Sequence, residues 1–367
     1  MSASSAIKRI GVLTGGGDCP GINAVIRAVV KTGLLDYGFE AVGILDGYEG
    51  LVKDRMVELG YEDVSGILTV GGTILGTSNT AHPFEYVEHG GQAEDARDVS
   101  DQCVTNFEKA GLDVLFCIGG DGTLSIAHQL AAKGLPVVGV PKTIDNDICG
   151  TDVTFGFDTA VQIVTEAIDR LHTTAMSHHR AMVIETMGRY AGWLALVGGM
   201  AGGGDIILIP EIPHHMEVVC EAVGGRSRRG KRFSLIVVAE GVKRPEGGYV
   251  LRGRVEESHE KIRLGGIGVW LANEVQERTG VVSRAVVLGH VQRGGSPTAF
   301  DRVLATRLGR EAVVQAAEGR FDVMVGVQGR DIVPVPLADV AQKQRLVTAD
   351  SQVLHAARSV GTCFGDE

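Results

Sequence analysis

Glycine in this chain recurs directly behind short apolar and β-branched runs. Ile10–Leu13, Val114–Ile118 and Ala181–Ile184 lead into Gly15–Gly17, Gly119–Gly122 and Gly188, and the pair Gly294–Gly295 is likewise expected to follow a strand. Runs so short and so apolar predict strands buried on both faces, as in a parallel sheet. Helical periodicity fills the intervals at Ala24–Leu35, Leu124–Ala132 and from Thr159 through Leu171. Further strands are predicted at Val137–Val140, Ile206–Ile209, Leu235–Ala239 and Ala285–Leu288. Such alternation predicts an α/β fold with crossover helices. In open α/β sheets ligands bind beyond the carboxyl ends of the strands, so these glycine loops predict one convergent site. With 52 glycines in 367 residues, about twice the ordinary share of ~7%, many must serve only in turns. The polar, glycine-rich stretches Glu88–Ser100 and Pro245–Arg254 predict surface loops, and no internal repeat or low-complexity segment is present.

The length allows two α/β domains, each with its own core. A net charge of −10 gives no general footprint for nucleic acid. An anionic ligand would have to be met by a local cluster of Arg, Lys and backbone N–H groups. The N-terminal MSASSAIKRIGVL runs straight into a glycine loop and lacks the pattern of a signal peptide. No apolar run approaches the roughly 20 residues that span a bilayer, which argues against a membrane partner. Six cysteines, Cys19, Cys103, Cys117, Cys149, Cys220 and Cys363, are scattered with no CxxC pair. They read as free thiols, and the expected compartment is the cytoplasm.

Three motifs carry chemistry. In GVLTGGGDCPGIN, Gly11 to Asn23, a strand enters a glycine run and a helix follows, with Asn23 expected in its cap region. Glycines there let backbone N–H groups approach a phosphate, although a tight strand-to-helix turn would use the same residues. It is not a Walker A sequence, since no Gly-Lys-Ser/Thr follows. In IGGDGTL, Ile118 to Leu124, Asp121 leaves a strand end between glycines, where a carboxylate can hold Mg²⁺ beside a polyphosphate. GGDGT also occurs in NAD kinases and diacylglycerol kinases, and alone it says only nucleotide-dependent kinase. In PKTIDNDICGTD, Pro141 to Asp152, Pro141 keeps Val140 extended. Asp145 and Asp147, two apart, would share a side of an extended chain. Two such carboxylates could divide proton acceptance and metal positioning during attack of a hydroxyl on phosphorus. The competing reading, an Asx-rich turn, loses ground beside the other two motifs.

The strings TGGGDCPGIN, GGDGT, TIDND, ETMGRYAG (Glu185–Gly192), AEG (239–241) and VLGHVQRGGSP (287–297) resemble, in order, the phosphofructokinase family from about residue 8 to about 330. TIDND together with GHVQRGG is specific to that family; NAD and diacylglycerol kinases lack the pair. The resemblance implies two Rossmann-like three-layer domains with largely parallel sheets and the active site in the cleft between them. It places a donor domain at 1–156 plus about 292–342, and a sugar-phosphate domain at 157–291 plus about 343–367. It also implies a homotetramer or homodimer with sites shared between subunits. The implied reaction moves a phosphoryl group from ATP to the 1-hydroxyl of fructose 6-phosphate, with Mg²⁺.

By the same resemblance Asp145 is the general base, with Thr143 and Asp147 supporting the phosphoryl group and metal, and Asp121 binding Mg²⁺. Gly16, Tyr48, Gly120, Asp121, Gly122 and Thr123 fall on the donor side. Met187, Gly188, Arg189 and Glu240 fall on the sugar, with Arg189 also facing transition-state charge. Arg180 and Arg284, from a neighbouring subunit, join His290 and Arg293 on the 6-phosphate. Arginine forks suit phosphate bidentately; each Arg taken singly reads as a solvated surface charge, and His290 singly as a turn or core histidine.

Two departures from the family pattern bear on the donor. Lys142 precedes TIDND, as in pyrophosphate-dependent members, yet Gly122 stands where those members place a second aspartate. The chain is of mixed type; Gly122 leaves room for a nucleotide's α-phosphate and favours ATP, with Lys142 able to serve either donor. Asn79 stands where ATP-dependent bacterial relatives carry an arginine. Arg27 remains where relatives bind regulatory nucleotides, but Tyr61 and His172 replace expected arginines, which predicts impaired control by the usual effectors. Three alternatives stay open: pyrophosphate as donor, another acceptor such as sedoheptulose 7-phosphate, and a non-catalytic regulatory subunit. The last would be expected to have lost Asp145, Asp121 or Arg189, all of which are present.

Overall fold

The computed structural model describes residues 7–88, 91, 93–254 and 262–366. Its strands are β1 (Arg9–Thr14), β2 (Glu40–Ile44), β3 (Met56–Glu58), β4 (Val114–Gly119), β5 (Val137–Pro141), β6 (Ala181–Thr186) and β7 (Ile206–Leu208). They continue as β8 (Ser234–Ala239), β9 (Leu251–Arg254), β10 (Ile262–Leu264), β11 (Ser283–Val287), β12 (Val323–Gln328) and β13 (Asp331–Pro336). One seven-stranded sheet has the order β13-β12-β5-β4-β1-β2-β3, and a four-stranded sheet has the order β11-β6-β8-β7. The smaller sheet is parallel throughout. In the larger, only the outermost strands β3 and β13 run antiparallel to their neighbours. This is an α/β fold of mostly parallel sheets.

The period of two in β4 shows how the larger sheet is held. Val114, Phe116 and Ile118 pack on one face with Val25, Ile26 and Val29 of the helix Ile22–Thr32, in a core that runs on into the smaller sheet. Leu115 and Cys117 pack on the other face with Leu51, Leu124 and Leu130. All six residues of β4 are buried, and Phe116→Ala would cost roughly 3–5 kcal/mol.

Several expectations are revised. The predicted strands are present, most with an extra residue or two. β2, β3, β12 and β13 were not legible, and the stretch expected as loop at Pro245–Arg254 ends in β9, paired with β10. Parts of the predicted loop at Glu88–Ser100 lie outside the described residues; its remainder includes a 3₁₀ turn at Ala93–Asp95. The pair Gly294–Gly295 follows a 3₁₀ turn, Gly289–Arg293, rather than a strand. Asn23 is not a helix cap. Gly21, with φ 108°, opens that helix. Buried Asn23 instead donates to the carbonyls of Val70 (3.0 Å) and Gly71 (3.3 Å) and accepts from Ile74 N–H at 2.9 Å. Among the described residues no helix is long and apolar enough to cross a membrane.

Candidate active site

The carboxyl ends of β1, β4 and β5 and the loops after β6 and β11 open onto one cleft of about 580 Å³. Its lining includes Gly16, Tyr48, Gly120, Asp121, Gly122 and Thr123 from the first sheet, and Lys142, Thr143, Asp145 and Asp147 from the loop after β5. Arg189, His290 and Arg293 face them. Asp18 and Arg293, 275 positions apart in the chain, thus meet because parallel strands deliver their loops to the same end.

The glycine loop is tightly braced. Gly15 N–H donates to Ile118 O and Gly16 N–H to Ser78 O, both at 3.0 Å, so these two groups hold the loop rather than face a ligand. Gly16 has φ 76°, a left-handed conformation in which a side chain is strained. At Gly17 a Cβ would fall 1.5 Å from Arg293 Nη1, so a side chain there would displace the guanidinium from its present position. Lys142 is buried and its ammonium donates to Gly17 O. Burial pulls its pKa down, and nearby Arg293 adds to that pull against the carboxylates.

Asp121 is the first residue of the helix Asp121–Ala132, where the helix dipole favours negative charge. Its Oδ1 accepts from Ser125 Oγ at 3.4 Å, and burial raises its pKa. Buried Tyr48 donates its hydroxyl to Thr123 O at 2.8 Å, bracing the same turn. Gly122 is open, since an added Cβ would meet nothing within 4 Å.

The loop after β5 is turned, not extended as expected, because Asn146 has φ 53°. Asn146 Oδ1 accepts from Thr154 N–H at 3.0 Å, and Asp145 N–H donates to Thr143 Oγ1 at 3.1 Å. Asp145 and Asp147 nevertheless line the same cleft. Burial first and the Asp145 charge second push Asp147 up to about 7. Glu240, after β8, is likewise pushed up to about 7 by burial and by Asp145 and Glu185, against the pull of Arg293 and Arg189. Gly188, with φ 132°, lets the chain turn back so that Gly241 N–H reaches Gly188 O at 3.0 Å. Met187 N–H donates to Gln292 Oε1 at 3.3 Å, tying the loop after β6 to the turn bearing His290 and Arg293.

Met187, Gly188 and Glu240 are not among the residues that line the cleft, and two further predicted residues stand well away from it. Arg180 immediately precedes β6, and Arg284 is near the start of β11, whose Ser283 is in register with Ala181. Both therefore sit at the amino ends of these strands, roughly 20 Å of extended chain from the loops at the carboxyl ends. Exposed Arg284 donates to Ser283 O at 2.7 Å. Sequence reasoning missed Asp18, Thr77, Ser78, His82, Tyr190 and Gln344, which also line the cleft, and buried Gln292. Gln292 lay inside a quoted motif and could have been found there; Gln344 stands in a segment with no motif.

A sequence model of the family described as phosphofructokinase matches residues 9–316, and that span contains every residue of the predicted site. The chain belongs to the phosphofructokinase family. Among curated relatives, the ATP-dependent 6-phosphofructokinase of Chloroflexus aggregans is 51% identical over 370 residues, covering 99% of each chain. The pyrophosphate–fructose 6-phosphate 1-phosphotransferase of Amycolatopsis methanolica is 53% identical over 340 residues, covering 92% of this chain and 96% of that one. Among solved structures, phosphofructokinase from Saccharomyces cerevisiae is 34% identical with a TM-score of 0.75, covering 90% of this chain and 45% of the yeast chain. The pyrophosphate-dependent phosphofructokinase of Nitrosospira multiformis shares the fold at a TM-score of 0.80, with 18% identity over 99% of this chain and 93% of that one. This phosphofructokinase-family chain is a phosphotransferase with an alcohol acceptor.

Proposed function

We propose that the protein transfers the γ-phosphoryl group of ATP to the 1-hydroxyl of fructose 6-phosphate, giving fructose 1,6-bisphosphate in glycolysis. One observation carries the reading: a single cleft gathers Asp121, Asp145 and Asp147 with Lys142, Arg189, His290 and Arg293. Carboxylates and cations lining one cavity are what an alcohol and a polyphosphate require together. Asp145 accepts the hydroxyl proton as oxygen attacks phosphorus, while Arg189 and Lys142 stabilise charge on the equatorial and leaving oxygens. Thr143 steadies the Asp145 backbone and faces the phosphoryl group. Met187, Gly188 and Glu240 receive the sugar; Glu240, titrating near 7, serves both as donor and as acceptor to hydroxyls.

Arg293 and His290 hold the 6-phosphate. Arg180 and Arg284 complete that subsite from a second subunit, because in their own chain they stand at the far end of the sheet. In this reading the larger sheet with 292–342 is the donor domain and the smaller sheet with 343–367 the sugar-phosphate domain. The enzyme is a homotetramer or homodimer in the cytoplasm, where its cysteines, all unpaired, would persist as thiols.

The site also fits Mg²⁺. Asp121 and Asp145 both raise the pKa of Asp147 through their charge, a mutual repulsion that a divalent cation relieves. Among the described residues no group of three or more His, Cys, Asp or Glu could enclose a metal, which suits an ion held by one or two carboxylates plus donor phosphates. Asp121, aided by Asp147, would hold it, and it would neutralise charge on the donor's phosphate oxygens.

The open space at Gly122 favours a nucleotide donor, since a side chain there would enter the cleft. Lys142 in the cleft, and a relative named for pyrophosphate at 53% identity, support pyrophosphate as the second reading. Initial rates with ATP, ADP, GTP and pyrophosphate at fixed fructose 6-phosphate decide between them. Turnover with ATP at the highest kcat/KM is expected; pyrophosphate turnover without ATP turnover would overturn the donor assignment, and no turnover with any donor would overturn the reaction.

A further inference from the structure

Residues 342–347 form a strap that contacts the elements on both sides of the cleft, with Gln344 among the cleft's lining residues. Toward the donor side, Gln342 N–H donates to Ser125 Oγ at 3.2 Å, and Ser125 Oγ donates on to Asp121. Gln344 forms an antiparallel bridge with Ile148 and lines the cleft. Arg345 then meets the aspartate loop twice. Its backbone N–H donates to Asp147 O at 2.7 Å and its Nη1 to Asn146 O at 3.1 Å.

Toward the sugar side the same residue is clamped again. Trp193 Nε1 donates to Arg345 O at 2.8 Å, and the Arg345 guanidinium lies 4.4 Å from the centre of the indole. Trp193 opens the helix Trp193–Ala201, which follows Arg189 along the chain. Val347 N–H donates to Glu211 Oε1 at 2.9 Å, and the same carboxylate accepts Gly192 N–H. Arg345 thus joins the loop carrying Asp145 to the segment carrying Arg189.

The loop needs such a restraint. Asn146 is a non-glycine residue with φ 53°, a conformation that persists where its surroundings over-determine it. Thr154 fixes the Asn146 side chain, and Arg345 fixes the two carbonyls that follow the bend, those of Asn146 and Asp147. A planar guanidinium can stack on an indole and donate at its edge at once, which an ammonium cannot.

We propose that Arg345 is a positioning residue: held on Trp193, it sets the carbonyls of Asn146 and Asp147 and so aims the Asp145 carboxylate at the acceptor hydroxyl. The inference rests on Asp145 being the proton acceptor. The strap transmits geometry between the two halves of the site, and of its residues Gln344, not Arg345, lines the cleft.

The test uses the full-length enzyme in a Trp270→Phe background, where Trp193 is the sole indole of the chain's two. Arg345→Ala should lower kcat by about 10–10²-fold, the scale of a misplaced reacting group, with both KM values within about threefold. Trp193 emission should shift as its cation leaves, and added methylguanidinium should restore part of kcat. Arg345→Lys, which keeps the charge without the fork, should fall between. A folded Arg345→Ala enzyme with kcat within about twofold of its parent overturns the proposal, as does a kcat loss matched by an equal loss of folded protein. Should Arg345→Ala not fold, a folded Arg345→Lys with parental kcat overturns it. Parental turnover in Arg345→Ala beside a crippled Asp145→Asn rejects the strap alone. Parental turnover in Asp145→Asn rejects the proton-acceptor assignment and the strap's purpose with it.

Discussion

The two halves of the cleft are built differently. On the donor side, the glycine loop, Asp121 and the aspartate loop all follow the carboxyl ends of neighbouring strands β1, β4 and β5, and every predicted residue lines one cavity. On the sugar side, the smaller sheet sends Arg189, His290 and Arg293 to that cavity but leaves Arg180 and Arg284 at its other end. The residues predicted for one half meet within a chain; two of the cations predicted for the other stand at the far end of their own sheet. Parallel strands teach why: a residue at the amino end of a strand cannot serve a site at its carboxyl end in the same subunit.

The largest expected effect tests the half whose predicted residues meet within a chain. Asp145→Asn keeps size and removes proton acceptance, so kcat should fall by roughly 10²–10⁴-fold while both KM values move far less. Steady-state kinetics with saturating substrates measure this, and a near-normal kcat would remove Asp145 from its role.

Gly122→Asp comes next and sharpens the donor assignment. The position is open, so the fold should tolerate the change, but a carboxylate would face the nucleotide's α-phosphate. Like charges roughly 4 Å apart at an effective dielectric near 20 cost about 4 kcal/mol. Screening reduces this, and ATP kcat/KM should drop by roughly 10²-fold, with pyrophosphate use preserved. Equal loss with both donors would show that the side chain merely blocks the cleft.

Breaking the sugar side should cost somewhat less. Arg293→Ala removes a charge-assisted hydrogen bond, and fructose 6-phosphate binding should weaken by about 1.5–3 kcal/mol. The donor KM should stay nearly constant. A rise in the donor KM instead would mean that the halves are assigned backwards, with Arg293 serving the glycine loop it lies against at Gly17.

The smallest effect is on stability. Burial and neighbouring charges raise Glu240 to about 7 from an ordinary 4.5, so the folded state holds a proton that the unfolded state releases. Its contribution is present below about pH 4.5 and is lost as pH rises through 7. Glu240→Gln should therefore raise Tm at pH 8 relative to wild type by roughly 2–4 °C, and change it less at pH 5. Calorimetry of the ligand-free enzyme at both values checks the sign.

What was legible in the sequence follows from locality. β4 could be read because all of its residues are buried and apolar, and the site loops because glycine and aspartate motifs are compact. β13, an antiparallel edge strand with prolines at 334 and 336, gave no such run. The turn at Asn146 was offered by the local sequence as an Asx-rich turn and outweighed by the motif reading; the structure has both the turn, sustained by Thr154 and Arg345, and the shared cleft. Trp193 meets Arg345 across 152 positions, a contact that no motif announces. Asn23 sat where a cap was expected and turned out to staple a loop some 50 residues away.

Subunit complementation tests the contrast between the halves most directly. Asp145→Asn chains lack the proton acceptor, and chains carrying Arg180→Ala with Arg284→Ala lack the cations offered to a neighbour. Each preparation alone should be nearly inactive at low fructose 6-phosphate. After mixing and subunit exchange, a site built on the intact Asp145 of one chain and the intact arginines of the other is whole again. The account predicts activity well above the sum of the two parents, appearing only once hybrids form. Activity that stays at that sum in demonstrated hybrids would contradict it, and would place Arg180 and Arg284 outside the active site altogether.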